Sequence, residues 1–342
     1  MTKLIVQIPC FNEAETLPET VRDIPRAVDG VDVVEVLVID DGSSDDTIAA
    51  ARVAGVDHIV SNKVNLGLAR TFQVGLDEAL RLGADIVVNT DGDNQYQGAD
   101  IPLLVAPIVQ GSADIVVGDR QTATIAHFSP LKKMLQRWGS RFVRGLSGVD
   151  AADAVSGFRA FSRNAAMAIN VRSSFSYTIE TLIQAGKKRL TVLSVPVRTN
   201  SVTRPSRLFR SIPQFLFQSA KTMARVYAMY EPLKVFLFAG VVFMVLGAAP
   251  IVRFVLHYLA GDGQGMVQSL ILGGVLFLLG AMAIMFALIA DLVAYNRQLI
   301  EQTLERVRRM EFDAAAQRDF PEKRVRDELA ALQSSNEKSA HG

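Results

Sequence analysis

The sequence is poor in the residues on which many reactive or secreted chains depend. Its 342 residues include one cysteine, one tryptophan and four histidines. A single cysteine excludes an internal disulfide and fits a reducing compartment. Cys10 follows Pro9 at a strand end, with no histidine close by in sequence. That setting suits a small packed residue and not a nucleophile. His58, His127, His257 and His341 fall in no catalytic spacing. Charge excess is also missing: 36 basic against 35 acidic residues leave +1, so nothing marks a nucleic-acid partner and none is expected. No Gly-x-Gly-x-x-Gly turn follows the first apolar strand, which speaks against a dinucleotide-dependent oxidoreductase. The apolar stretch Leu4 to Ile8 is too short for the core of a signal peptide. No long apolar run appears before Leu233.

What is present begins with Asp91-Gly92-Asp93-Asn94-Gln95, directly after the buried-strand pattern from Ala84 to Thr90. Two carboxylates one residue apart at a strand's C-terminal end can face a hard cation together. Mg²⁺ or Mn²⁺ held that way keeps positions open for phosphate oxygens. Four further strands are read at Leu4–Ile8, Val34–Ile39, His58–Val60 and Ala113–Arg120, with amphipathic helices between them. This alternation predicts an α/β fold with a mostly parallel sheet covered on both faces. The strand ends are polar and acidic: Pro9-Cys10-Phe11-Asn12-Glu13, Asp40-Asp41-Gly42-Ser43-Ser44-Asp45, Asp91 to Gln95, and Gly118-Asp119-Arg120. Open α/β sheets bind ligands along that edge.

These motifs, with Asn65-Leu66-Gly67 and Asp153-Ala154-Val155-Ser156-Gly157-Phe158-Arg159, resemble the family 2 glycosyltransferases of GT-A fold. Within them the chain is most similar to the polyprenyl-phosphate sugar synthases, the dolichyl-phosphate mannose synthase group. The resemblance covers roughly residues 3 to 210 and implies roles by position. Pro9, Phe11, Glu13, Asp40 and Asp41 would hold the nucleotide, with Asp91. Asp91 and Asp93 would bind a divalent metal, Mg²⁺ or Mn²⁺, with Gln95 as a further ligand. Arg120 would lie near the donor or acceptor phosphate and Asp153 near the reacting centre. Arg204, Ser206 and Arg207 would grip the acceptor phosphate. The match is looser there, because the family's Arg-x-x-Gly-x-Ser-Lys reads Arg-Pro-Ser-Arg in this chain. Phe11 stands where the family often has Tyr; base stacking survives that change and a phenol hydrogen bond does not.

Two runs read as transmembrane helices, about 233–252 and 267–290. At 1.5 Å rise per residue each spans about 30 Å or more, the thickness of a hydrocarbon core. Six basic residues from Arg204 to Lys234 precede the first, and Arg297, Arg306, Arg308 and Arg309 follow the second. The intervening loop is read with only Arg253, His257 and Asp262. The positive-inside rule places the catalytic domain and both termini in the cytoplasm of an inner or equivalent membrane. Gly240, Gly247, Ala248, Gly273, Gly274 and Gly280 would let helix backbones approach, within the hairpin or between copies in a homo-oligomer. The expected organisation is a catalytic domain over 1–207, an amphipathic juxtamembrane segment over 208–232, the two spans over 233–295, and a charged helical tail over 296–342 with a disordered end from Ser334.

The expected reaction is inverting transfer of a hexose from a nucleotide-diphosphate sugar, of UDP-glucose or GDP-mannose type, to a polyprenyl phosphate in the bilayer. A hydroxyl acceptor and a non-catalytic nucleotide-binding scaffold are the alternatives. The processive polysaccharide synthases carry Gln-x-x-Arg-Trp after the third aspartate. Here Arg137-Trp138 follows Met134 and precedes Asp153, so Trp138 is read as packing in the amphipathic stretch Leu131 to Leu146.

Overall fold

The computed structural model describes residues 1–121, 147–171, 177–200, 227–261 and 267–340, with 141, 144, 145 and 225, and side chains through Phe312. Arg204, Ser206, Arg207, the stretch 208–224 and most of 131–146, including Trp138, lie outside the described residues. Two compact units emerge. One comprises Met1–Pro205 together with Glu305–Gly342, the other Ser206–Leu304.

The first unit is built on seven strands: β1 (Lys3–Cys10), β2 (Val33–Asp40), β3 (His58–Ser61), β4 (Ile86–Asn89), β5 (Ile115–Asp119), β6 (Arg159–Ser162) and β7 (Val192–Pro196). Their order across the sheet is β3-β2-β1-β4-β6-β5-β7. All neighbours are parallel except β6, which runs antiparallel to both β4 and β5. The five strands read from the sequence are present. β6 and β7 complete the sheet without having been expected, since Arg159-Ala160-Phe161-Ser162 and the half-exposed β7 carry little apolar alternation.

Alternation along the strands sorts the core into two layers. Ile5, Leu37, Ile39 and Val87 face one side, packed by α3 (Leu68–Arg81), α5 (Arg163–Ala168) and α6 (Tyr177–Lys187). Leu4, Val6, Ile8, Val36, Val38 and Val88 face the other, under α1 (Leu17–Asp23), α2 (Thr47–Val53) and α4 (Ile101–Val109). Successive residues of a strand point to opposite faces, so each apolar strand feeds both layers. Gln7 is a polar residue fully buried on β1. Its amide donates to Asn89 Oδ1 at 2.9 Å. It also explains Gly75 in the middle of α3: a Cβ there would meet Gln7 Oε1 and Ile39 Cδ1 at 2.6 Å.

The first unit also takes in the far end of the chain. Helix α8 (Val267–Ala340) begins in the second unit and continues into the first from Glu305. Phe312 is 2% exposed and belongs to the α3/α5/α6 core layer. Arg308 donates to the carbonyls of Met167 and Ile169 at 2.9 and 2.8 Å and pairs with Asp77. Lys188 donates to Ala168 O at 2.7 Å and pairs with Glu305. Two cations therefore satisfy the carbonyls that the end of α5 leaves open. Residues 305–312 are part of the first unit, where the sequence suggested a separate tail. The helix also continues through Ala340, past the expected disordered end at Ser334; no proline or glycine interrupts 322–341.

The second unit holds α7 (Pro232–Leu259) and the first part of α8. Both are long and apolar enough to cross a membrane, and only 11% and 17% of their most apolar windows are buried. A core helix of a water-soluble protein would be mostly buried. α7 extends to Leu259, so Arg253 and His257, read as loop residues, lie within the helix. Glycines fit the two helices together. A Cβ on Gly240 would lie 2.9 Å from Gly280 O, and one on Gly247 would lie 2.7 Å from Gly273 O. The pairs are seven residues apart on each helix and run in opposite order, so these four glycines serve the hairpin itself. Gly274 has nothing within 4 Å.

Candidate active site

The site forms where the C-terminal ends of β1, β2 and β4 meet, at the point where the strand order reverses direction. Three loops are tied together there. Asn12, with φ 56°, takes a hydrogen bond from Ser44 N at 2.8 Å through its side chain, and its own N–H donates to Ser43 Oγ at 2.9 Å. Glu13 N donates to Thr47 Oγ1 at 3.0 Å, and Thr16 Oγ1 donates to Gly92 O at 2.8 Å. The Pro9–Thr16 segment thus braces both the Asp40–Asp45 loop and the Asp91–Asp93 turn.

The expected nucleotide-binding residues divide into two sets. Phe11 is 42% exposed, open for stacking. Asp40 and Asp41 are buried and occupied within the loops. Asp40 accepts from Ser43 N at 3.3 Å and Ser61 Oγ at 3.0 Å. Asp41 accepts from Leu66 N at 2.8 Å, Gly67 N at 2.9 Å and Asn62 Nδ2 at 2.9 Å. Asp41 therefore holds the Asn65-Leu66-Gly67 turn in place, while Asp40 ties its own loop to the end of β3. Asn12, Asn62 and Thr47 do comparable work that the sequence did not single out, although their positions within polar strand ends were visible.

Asp91 and Asp93 stand at the end of β4. Burial lifts the Asp91 carboxyl to about 7, with repulsion from Asp93 and Glu13 adding to it and Arg120 opposing. Arg120 offsets this only in part, so a bound cation would favour the charged form of Asp91. Asp93 accepts from Gln95 N at 3.1 Å, closing the turn. Among the described residues no three His, Cys, Asp or Glu side chains converge to hold a metal by themselves. The two carboxylates offer hard oxygen donors of the kind Mg²⁺ and Mn²⁺ share with diphosphate oxygens. The loop is also held by the segment that follows β7. Tyr96 bridges Thr199, Asn200 N donates to Gln95 O at 2.9 Å, and Asn200 Nδ2 donates to Asn94 O at 3.0 Å. Arg198 anchors that run through the buried Asp100.

Arg120 and Asp153 form an ion pair that the sequence reading did not foresee. The guanidinium reaches both carboxylate oxygens, Nε to Oδ2 at 2.7 Å and Nη2 to Oδ1 at 3.1 Å. Asp153 is 1% exposed and Arg120 16%, so the arginine fronts the pair. Behind it lies Arg159, fully buried, which donates to the carbonyls of Ala154, Ser156 and Thr178 at 2.7 to 2.8 Å. It fastens the Asp153–Ser156 loop to the first turn of α6. Cys10 is buried, and burial together with Glu13, Asp40 and Asp91 pushes its thiol well above the usual range. It remains a packed thiol.

Residues 5–169 match the model of glycosyl transferase family 2. Undecaprenyl-phosphate mannosyltransferase of Micrococcus luteus is 25% identical over 57% of this chain and 82% of its own length. UDP-N-acetylglucosamine–dolichyl-phosphate N-acetylglucosaminyltransferase of Methanococcus voltae is 27% identical over 56% and 83%. Among solved structures, glucosyl-3-phosphoglycerate synthase from Mycobacterium tuberculosis, in complex with Mn²⁺, UDP and phosphoglyceric acid, superposes with a TM-score of 0.51 and 20% identity. The superposition covers 66% of this chain and 78% of that one, and supports the GT-A fold.

Proposed function

The chain carries a family 2 glycosyltransferase domain, and from that premise we propose that it transfers a hexose from a nucleotide-diphosphate sugar to a polyprenyl phosphate in the membrane. The observation that supports the proposal is the Asp91/Asp93 pair at the end of β4, with Arg120 near enough to act on Asp91, in a chain that continues into two exposed apolar helices. Relatives named for undecaprenyl and dolichyl phosphate support the acceptor class. Both UDP and GDP donors fit the reading.

Asp91 and Asp93 would hold a divalent cation, which when bound would neutralise the diphosphate as it leaves. Phe11 would stack on the base, with Pro9 and Glu13 shaping the turn beside it. Arg120 would meet phosphate oxygens, and Asp153 would hold its guanidinium in the required plane. The acceptor is a phosphate monoester with a second pKa near about 6, ionised at neutral pH. It needs no general base, which agrees with an Asp153 whose two oxygens are both engaged by Arg120. Arg204, Ser206 and Arg207 follow closely on Asn200, which is bonded to the Asp91–Asp93 loop. Their proposed role is capture of the acceptor phosphate. The charge asymmetry about the apolar helices would place the catalytic unit in the cytoplasm.

The test is turnover by the full-length protein in detergent with Mn²⁺ and a panel of labelled sugar nucleotides. Excess EDTA is expected to abolish transfer, and Asp93→Asn to lower it by at least about a hundredfold. Undiminished turnover in EDTA would overturn the metal assignment.

A further inference from the structure

Tyr177 and Gly157 lie outside every role assigned above, yet they border Asp91. The antiparallel register of β4 and β6 pairs Asn89 with Arg159. Continued two residues past Asn89, that register sets Asp91 opposite Gly157. Both backbone polar groups of Gly157 are fixed. Its N–H donates to Tyr96 Oη at 3.1 Å, and its carbonyl accepts from Asn89 Nδ2 at 2.8 Å. Its bare Cα face is shared. A Cβ there would lie 2.5 Å from Tyr177 Oη and 3.1 and 3.2 Å from the two oxygens of Asp91.

Tyr177 is equally constrained. It opens α6, is 3% exposed, and stacks on the buried Phe72 of α3 with ring centroids 4.4 Å apart. Its hydroxyl takes a hydrogen bond from Asn89 Nδ2 at 3.2 Å. Asn89 is itself held by Gln7. The line Gln7–Asn89–Tyr177 thus runs through the interior and ends beside the Asp91 carboxylate. A carboxylate that must present its oxygens to a cation needs walls on its other sides. Here those walls are the hydroxyl of a buried ring stacked on Phe72 and a glycine that leaves room.

We propose that Tyr177 and Gly157 together are positioning residues for Asp91, fixing the carboxylate that binds the divalent cation. The inference rests on the metal reading of Asp91 and Asp93. Its test is Mn²⁺ affinity of the full-length protein in detergent, measured by calorimetry with saturating UDP or GDP and no sugar donor. Partners that orient metal ligands typically account for about ten- to a hundredfold in affinity. Tyr177→Phe is expected to weaken Mn²⁺ binding about tenfold at an unchanged melting temperature, and Gly157→Ala to weaken it further. The double variant G157A/Y177F is expected to bind more tightly than G157A alone, because the atom nearest the added methyl is gone. Unaltered affinity in Tyr177→Phe would overturn the proposal even if G157A failed to fold. A double variant no better than G157A would overturn the shared-space argument. Failure of the unaltered protein to bind Mn²⁺, or Asp93→Asn binding it equally well, would instead bring down the metal reading and this inference with it.

Discussion

At the scale of single residues, the candidate site divides into exposed groups and buried groups that hold loops. Phe11 is open and Arg120 partly exposed; Asp153, Asp40, Asp41 and Arg159 are buried. The sequence showed the acidic strand ends as a class but not this division, because whether a carboxylate serves a ligand or a loop depends on amides far along the chain. Asp41 is the plainest case, with its partners at Asn62, Leu66 and Gly67. The Arg120–Asp153 pair yields a direct prediction. A lysine cannot reproduce the two-pronged contact, so Arg120→Lys should lower kcat/KM by roughly ten- to a hundredfold. Asp153→Asn should cost a similar amount, and the double variant little more than either single one, since both act through one guanidinium. Additive losses in a double-mutant cycle would show that Asp153 works independently of Arg120.

At the scale of elements, strongly apolar strands were legible and weakly patterned ones were not. β1, β2, β4 and β5 are runs of branched side chains. β6 and β7 are strands because neighbours supply their hydrogen bonds, a tertiary effect that local pattern does not encode. The same holds for residues 305–312 of α8. In sequence they are a charged helix; in the fold Arg308 and Lys188 close the end of α5, and Phe312 enters the core. Phe312→Ala should therefore destabilise the catalytic unit by about 3–5 kcal/mol, read as a lowered melting temperature of the full-length protein. An unchanged melt would mean that the contact is incidental. The consequence for truncations is that removing everything after the hairpin removes part of the catalytic fold.

At the scale of the whole molecule, one chain joins a domain that matches the glycosyl transferase family 2 model to two apolar helices whose surfaces are largely exposed. Confining the catalytic unit to a bilayer surface would raise the effective concentration of a lipid-borne acceptor. That argument favours a polyprenyl phosphate over a soluble hydroxyl acceptor, and it is the account's central claim. The most direct measurement offers the full-length protein matched polyprenyl phosphate and polyprenol, with Mn²⁺ and labelled UDP- and GDP-sugars, and follows label into the organic phase. The account predicts label on the phosphate lipid alone, released by mild acid as expected for a sugar bonded through an anomeric phosphate. Label on the polyprenol, or transfer equally well to water-soluble hydroxyl acceptors, would contradict it.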